Sequence, residues 1–258
     1  MSHSTANHIL NGDSLAEQLR ATSIQSNYIV CRECLIDMSL DPVPGLNFWD
    51  SRADYMLQQY HLARADYFRM TVNELKRIEE IQAGAEVCLW FEDDLFCQVN
   101  MWFVLSLIPK DIELKISRVF PNVPDEVRWR GFAACSPETL EHCYAERVSF
   151  ETSDIRLGEQ LWRAYHRAEV EQLKKLAISK SKCFRSLEEV CQAHIDRFPA
   201  DGSPGRPERA LQKIMLKSKQ ADFADVFREF STREGIYGFG DLQIRPLYDK
   251  LLNLGRRP

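Results

Sequence analysis

The sequence contains none of the short signatures that identify the commonest enzyme classes. It has no G-x-G-x-x-G, no P-loop, no G-x-S-x-G and no H-E-x-x-H. Each of these motifs performs a defined task, which is to bind a dinucleotide, a nucleoside triphosphate, an acyl intermediate or zinc. Their absence argues against a standard NAD enzyme, a P-loop ATPase, a serine hydrolase or a zinc protease.

The chain also lacks a basic excess and long apolar runs. Its net charge is -5 at pH 7, which does not favour binding to nucleic acid or to an anionic membrane. The longest apolar segment, residues 95–108, is short and interrupted by Gln98 and Asn100, so we expect no membrane span. The opening residues MSHSTANH have no cationic or apolar region, so we expect no secretory signal and a cytoplasmic protein.

The eight cysteines do not form a recognisable metal or disulfide framework. Cys31 and Cys34 make the single C-x-x-C of the chain, and several other cysteines lie inside apolar runs. Buried Cys behaves as a small hydrophobe, and thiols stay reduced in the cytosol. We therefore favour structural cysteines over a redox or zinc site.

Short apolar runs alternate with helical patterns in the first half of the chain. The strand candidates are HILN, YIVC, VCLWF and IELKISRV. Strands that alternate with helices are typical of a parallel sheet, and continuous apolar runs indicate strands buried on both faces. The sequence predicts an α/β fold for residues 1–135, with a three-layer, Rossmann-like or flavodoxin-like parallel sheet.

The pattern changes after Cys135. Residues 136–258 contain helical spacing, including one long predicted helix from Thr152 to Ile178. Residues 1–136 carry 12 Lys and Arg against 19 Asp and Glu, whereas residues 137–258 carry 21 against 19. We therefore predict two units, an α/β domain at 1–135 with the ligand site and a mostly helical C-terminal domain at 136–258.

Acidic residues follow the first three predicted strands. Asp13 follows the first strand, Glu33 the second, and Glu92, Asp93 and Asp94 the third. The carboxyl ends of parallel strands form the ligand crevice of such sheets. The sequence therefore predicts Asp13, Glu33 and Glu92 as catalytic acids or bases, and Asp13, Glu92 and Asp94 as possible ligands of Mg²⁺.

Ligand-binding candidates lie beside these acids. Asn11, Gly12 and Ser14 form a turn between a strand and a helix, where backbone N–H groups bind anions. Arg32 and Arg52 are the nearest cations and would hold a phosphate or carboxylate. Arg32 could instead pair with the adjacent Glu33.

Helix capping is the alternative explanation for some of these acids. Asp13 and Asp94 precede predicted helices and are suitable N-caps. Ser14 and Glu17 also fit a capping box. Glu92 lies at the end of its strand, and it is therefore the best candidate for a functional acid among the three consecutive acids.

Several stretches together resemble a known family. HILNGDSLAEQL, VCRECLID, FWDSRADY and LWFEDDLFCQVNMWFVL, and later LGEQLWRAYHRAEVEQLKKL and GFGDLQIRPLYDKLL, resemble the motifs of bacterial domain-of-unknown-function family 1835. The resemblance implies the same architecture with a helical C-terminal half. It also implies the following residues as candidate site positions: Asp13, Ser14, Glu33, Arg52, Glu92 and Asp94. It implies no reaction. The chain has Ile36-Asp37-Met38-Ser39 where the family has Gly-Pro.

The functional expectation is an enzyme that hydrolyses, or transfers a group from, a small polar or phosphorylated ligand. The alternative is a non-enzymatic regulatory or adaptor protein that binds a protein partner through its helical half. DNA binding through the same half is not favoured, because the half carries no concentrated basic patch.

Overall fold

Five strands form one sheet in the computed structural model, which describes residues 6–24, 26–37, 47–217 and 222–255. The strands are Asn7–Asn11 (β1), Asn27–Cys31 (β2), Glu86–Trp90 (β3), Lys115–Val119 (β4) and Val148–Ser149 (β5). Their order is β2-β1-β3-β4-β5; the first four are parallel, and β5 is antiparallel to β4. The predicted α/β fold is confirmed, and the order β2-β1-β3-β4 is that of flavodoxin-like sheets.

Helices flank the sheet and form most of the C-terminal part. They are Asp13–Arg20 (α1), Phe48–Tyr60 (α2), Arg64–Tyr67 (α3), Asn73–Lys76 (α4), Leu95–Leu107 (α5), Pro137–Ala145 (α6), Thr152–His166 (α7), Val170–Ala177 (α8), Leu187–Ile195 (α9), Arg206–Lys217 (α10), Phe223–Arg233 (α11) and Asp241–Gly255 (α12). Short 3₁₀ helices cover Leu35–Asp37, Asp125–Ala134 and Gly235–Tyr237.

The sheet has a hydrophobic layer on each face, which makes three layers. Leu10 and Trp90 point towards one face, where α1 and α6 pack. Ile9 and Leu89 point towards the opposite face, where α5, α7 and α9 pack. Consecutive residues of a strand point to opposite faces, so a run such as VCLWF fills both layers.

Helix α5 is buried on nearly all sides. It lies between the sheet, α7 and α9, and ten of its 13 residues are buried. A helix that is apolar around its whole circumference belongs in the interior of a protein. The apolar segment at residues 95–108 therefore forms the helix predicted to follow Asp94, and Asp94 is its N-cap.

Two predicted helices were wrong in their extent. The long helix from Thr152 to Ile178 is two helices, α7 and α8, and Ala168 between them has φ of 52°. The apolar spacing hid this break because both helices pack on the same core. The residue pattern also predicts a helix over Thr71–Gln82. In the structure this helical segment begins with α3, continues through a π-helical stretch at Phe68–Val72, and ends with α4 at Lys76.

The predicted boundary at residues 135 and 136 stays a prediction, but one hydrophobic core extends across it. Both β5 and α7 lie beyond the boundary. Strand β5 pairs with β4 in the sheet, and helix α7 packs on α5. Within the described residues, no helix combines the length and the apolar character that crossing a membrane requires. The departure at Met38 and Ser39 and the start of MSHSTANH lie outside the described residues.

Candidate active site

The connections of the sheet locate its crevice between β1 and β3. Helix α1 connects β1 to β2 and packs on one face of the sheet. Helices α2–α4 connect β2 to β3, and Leu75 of α4 packs on the opposite face. Ligands of open α/β sheets bind where the strand order reverses in this way, beyond the carboxyl ends of the strands. Asn11 at the end of β1 and Glu92 just after β3 stand at this position.

Glu92 and Asp94 lie together at the crevice, with Cys97 beside them. One ligand atom from each of the three lies within 4.8 Å of the others. The Cys97 thiol donates to Glu92 Oε2 at 3.0 Å, and the Cys97 backbone N–H donates to Asp94 Oδ1 at 3.0 Å. The backbone N–H of Phe132 donates to Glu92 Oε1 at 3.4 Å, and Asn11 Nδ2 donates to the Cys97 sulfur at 3.0 Å. We call Glu92, Asp94 and Cys97 the acid cluster.

Burial makes the acid cluster unusually easy to protonate. Removal from water raises the pKa of the Glu92 carboxyl, and it raises that of Asp94 to about 7, with repulsion from Glu92 as the second cause. Burial and the two carboxylates also raise the pKa of the Cys97 thiol well above its usual range. Cys97 therefore stays a thiol that donates to Glu92, and it is not a nucleophilic thiolate.

Two glycines allow distant segments to cover the acid cluster. Gly131 has φ of 56° and lies against the Glu92 side chain, and Gly238 has φ of 62° and lies against Asp94. A Cβ atom at either glycine would overlap the carboxylate side chain beneath it. The resulting cleft has a volume of about 330 Å³, and Trp129 and Arg130 line it together with the acid cluster and Asn11.

The remaining acids of the predicted site point elsewhere. Asp13 is exposed and does not cap α1, because the N-cap residue is Gly12, which makes no side-chain hydrogen bond. The Asp13 carboxylate forms an ion pair with Arg32 at 2.7 Å. The predicted Ser14–Glu17 capping box is absent from the described part of α1, because Glu17 pairs with Arg20 and Ser14 is exposed.

Glu33 and Arg52 form a fully buried ion pair, which corrects the prediction that Arg52 holds a ligand. Arg52 donates to Glu33 Oε2 at 2.7 Å, and both side chains have no exposed surface. Tyr67 donates to the other carboxylate oxygen. Arg32 pairs with Asp13 and not with its neighbour Glu33.

Three of the five predicted ligand-binding residues, Asn11, Gly12 and Arg32, line a second, larger cleft beside the acid cluster, whereas Ser14 and Arg52 do not line it. Its volume is about 630 Å³, and Asn11, Gly12, Asp13, Arg32 and Glu33 border it. Asn11, Phe96 and Gly238 border both clefts. The structure therefore divides the predicted site into an acid cluster on one side of these residues and an Asp13–Arg32 pair on the other.

The composition of the acid cluster alters the metal prediction. Asp13 is not part of the cluster, so the predicted Mg²⁺ ligands Asp13, Glu92 and Asp94 do not assemble in the described residues. A thiolate with two carboxylates suits Zn²⁺ better than Mg²⁺, which prefers oxygen ligands. Binding would have to displace the Cys97 proton, which makes it dependent on pH.

Cys97 could have been found from the sequence, whereas the covering glycines could not. Cys97 is three residues after the N-cap Asp94, so it faces the cap on the first turn of α5. Gly131 lies in the 3₁₀ segment Asp125–Ala134, Gly238 directly follows the 3₁₀ helix Gly235–Tyr237, and no local pattern connects either glycine with the acid cluster. Asp93 is separated from the cluster because it points the other way and pairs with buried Arg118 at 2.7 Å.

We expect Asp94→Asn to remove a pH-dependent part of the stability while keeping the N-cap. The folded-state pKa of about 7 exceeds the ordinary value of 3.8, so the folded chain holds this proton more tightly than the unfolded chain does. The resulting stabilisation is fully present below about pH 4 and is lost as the pH rises through about 7.

Urea unfolding at several values between about pH 4 and pH 8 measures this effect. The free energy of unfolding of the wild type minus that of the variant should fall as the pH rises. A difference that is constant over this range, or that rises, contradicts the raised pKa of Asp94.

Comparisons with known proteins add no relative. No family model matches the chain, and neither the curated proteins nor the solved structures contain a match. The resemblance to family 1835 stays a prediction, and the function has to be argued from the site alone.

Proposed function

We propose that this protein is an enzyme that hydrolyses, or transfers a group from, a small polar ligand, with Glu92 and Asp94 as its acid–base pair. One observation carries the proposal: two carboxyl groups with raised pKa values, the half-buried Glu92 and the buried Asp94, lie together at the crevice between β1 and β3. An acid–base group is most effective when its pKa is close to the working pH.

The pair is suited to hold one proton between two sites. Because the two carboxylates repel each other, losing the first proton makes loss of the second harder, and the pair titrates in two steps. In the intermediate state one carboxyl group can donate a proton while the other accepts one. Hydrolysis and group transfer both need these two roles.

Neutral and cationic groups near the pair would bind the ligand. The Asn11 amide lies between Cys97 and Asn100, which donates to Asn11 Oδ1 at 2.9 Å, so its orientation is set. Arg130 is exposed at the rim of the smaller cleft, and no ion pair to it occurs among the described residues. Arg130 thus takes the anion-binding role that the sequence suggested for Arg52.

A thermal-shift panel of phosphorylated and other polar metabolites tests the proposal. A ligand at about a hundred times its dissociation constant should stabilise the chain by about 2.7 kcal/mol, which is roughly 5–10 °C in Tm. Glu92→Gln should abolish turnover of that ligand or reduce it by a factor of about 10²–10⁴. Asp13→Asn is the matched control, since Asp13 is exposed and paired outside the acid cluster.

The enzyme proposal fails if no ligand of the panel shifts the wild type, or if Asp13→Asn reduces turnover as strongly as Glu92→Gln. The same panel includes Mg²⁺ and Zn²⁺. A stabilising shift with Zn²⁺ that Cys97→Ser removes would make the reaction metal-assisted, whereas a shift with Mg²⁺ alone would contradict the thiol as a ligand.

The adaptor function is a second candidate with an observation in its favour. Three acids near the strand ends, Asp13, Glu33 and Asp93, are engaged in ion pairs. Several large apolar side chains of the C-terminal part are exposed, namely Val170, Ile178, Phe198, Leu216 and Leu242. A stoichiometric partner that binds the full chain and is lost on Ile178→Ser, with Glu92→Gln unaffected, would favour this function.

A further inference from the structure

A third cleft lies between α2, the end of α9 and α12; it does not include the acid cluster, but Phe239 lines both this cleft and the 330 Å³ cleft. The third cleft has a volume of about 410 Å³, within the range of small-molecule sites. Tyr55, Phe198, Phe239 and Leu247 contribute apolar surface to it. We call it the aromatic cleft.

Arg197 is the cation of the aromatic cleft. Its Nη2 donates to the backbone oxygen of Ile36 at 2.8 Å, and its guanidinium carbon lies 5.0 Å from the Phe198 ring centre and 5.4 Å from that of Phe239. Across the described ranges it forms no ion pair with a carboxylate. A guanidinium held between aromatic rings is well placed to bind an anion through its remaining N–H groups.

The carboxylates that line the same cleft are already engaged. Asp37 accepts hydrogen bonds from Tyr60 and, at 3.1 Å, from Gln243. Glu208 pairs with Lys250 at 2.8 Å. Neither forms an ion pair with Arg197 in the described part of the chain, so the guanidinium of Arg197 is the group of this cleft that can pair with an anionic ligand, although Asp37, whose partners are neutral, keeps its own negative charge.

Exposed apolar groups at the same cleft define the rest of the ligand. Phe198 is 64% exposed and Leu242 is 59% exposed, and both line the cleft. Large apolar side chains that border a concave surface gain from being covered by an apolar ligand. The ligand therefore needs an apolar body beside its anionic group.

We propose that the aromatic cleft binds a small aryl carboxylate, whose carboxylate pairs with Arg197 while its ring packs against Phe198, Phe239 and Leu242. The site is distinct from the acid cluster. Tyr60 and Gln243, whose side chains are 3.2 Å apart, line both the aromatic cleft and the 630 Å³ cleft and stand between them. The inference goes beyond the proposed reaction and does not depend on it.

Titration of the full-length chain with phenylacetate, followed by NMR, tests the proposal, and phenylacetamide is the uncharged control. A ligand of this size should bind with a dissociation constant of about 1 mM. Loss of the charge-assisted hydrogen bonds should weaken phenylacetamide at least about tenfold. Equal affinities for acid and amide, or no binding of phenylacetate up to about 20 mM, overturn the proposal.

Two variants assign the binding to this cleft. Arg197→Gln should remove the preference for phenylacetate over phenylacetamide. Phe198→Ser should weaken the binding of phenylacetate by about fivefold or more. Because the Phe198 side chain is exposed, we expect this substitution to leave the fold intact. Leu216→Ser, at a side chain that is 66% exposed and does not line the cleft, is the matched control and should leave binding unchanged. Unchanged binding in Phe198→Ser overturns the assignment.

Discussion

Arg52→Met is expected to lower the free energy of unfolding by about 3–5 kcal/mol, measured by urea denaturation at pH 7. The substitution leaves the Glu33 carboxylate in the interior with the Tyr67 hydroxyl but without its cation. An ionised group in that position loses its hydration without compensation, and this loss is much larger than the effect of losing an exposed ion pair.

Arg32→Met is the matched control for this prediction. The Arg32–Asp13 pair has the same 2.7 Å separation, but its side chains are 26% and 65% exposed. We expect it to contribute less than about 1 kcal/mol. The double variant Glu33→Gln/Arg52→Met should recover part of the stability, because no unpaired charge remains. Similar losses in Arg52→Met and Arg32→Met would contradict the buried ion pair.

The Glu33–Arg52 pair also supports the candidate active site. The backbone oxygen of Glu33 accepts from Asn100 Nδ2 at 2.8 Å, and the same amide donates to Asn11. Asn11 in turn donates to Cys97 in the acid cluster. A shift of Glu33 would therefore be transmitted to the acid cluster through the hydrogen-bonded side chains of Asn100 and Asn11.

Gly238→Ala is expected to destabilise the chain by about 2–5 kcal/mol and to eliminate ligand binding at the acid cluster. The positive φ of 62° costs a non-glycine residue about 1–2 kcal/mol. Overlap of the new Cβ with the Asp94 carboxylate adds about 1–3 kcal/mol, because the segment must move away from a packed side chain. Urea denaturation gives the first effect, and the ligand-dependent thermal shift gives the second.

Gly84→Ala separates the backbone strain from the overlap. Gly84 has φ of 79°, and a Cβ built on it meets no atom within 4 Å. This variant should show only the strain of about 1–2 kcal/mol and should keep ligand binding. If Gly238→Ala costs no more than Gly84→Ala, the close packing of Gly238 on Asp94 is not important for stability.

The elements of the fold were largely predictable because their signals are local. The run VCLWF has the length and composition of a strand buried on both faces, and the apolar segment after it has those of a buried helix. Asp94 was a foreseeable N-cap, since the cap preference depends on residues within one turn. The break between α7 and α8 was missed because the apolar spacing continues on both sides of Ala168.

The pairing of the charged residues was less predictable. The sequence placed Arg32 and Arg52 near three acids, but it did not show which acid each would meet. Adjacent charged residues take different partners: Arg32 pairs with Asp13 and Glu33 with Arg52, and Asp93 pairs with Arg118. The ion pair between Glu33 and Arg52 depends on where α2 packs, and local sequence patterns do not predict this.

The sequence by itself determined the α/β class, the strands and helices that build the sheet, and the presence of carboxylates where strands end. These features follow from the period of apolar residues and from capping preferences, which act over a few residues. Only the tertiary structure decided that Glu92, Asp94 and Cys97 form the acid cluster, while Asp13 and Glu33 are bound to arginines. Burial decides these partnerships and raises the two pKa values, and burial here depends on Gly131 and Gly238, which distant parts of the chain bring to the crevice.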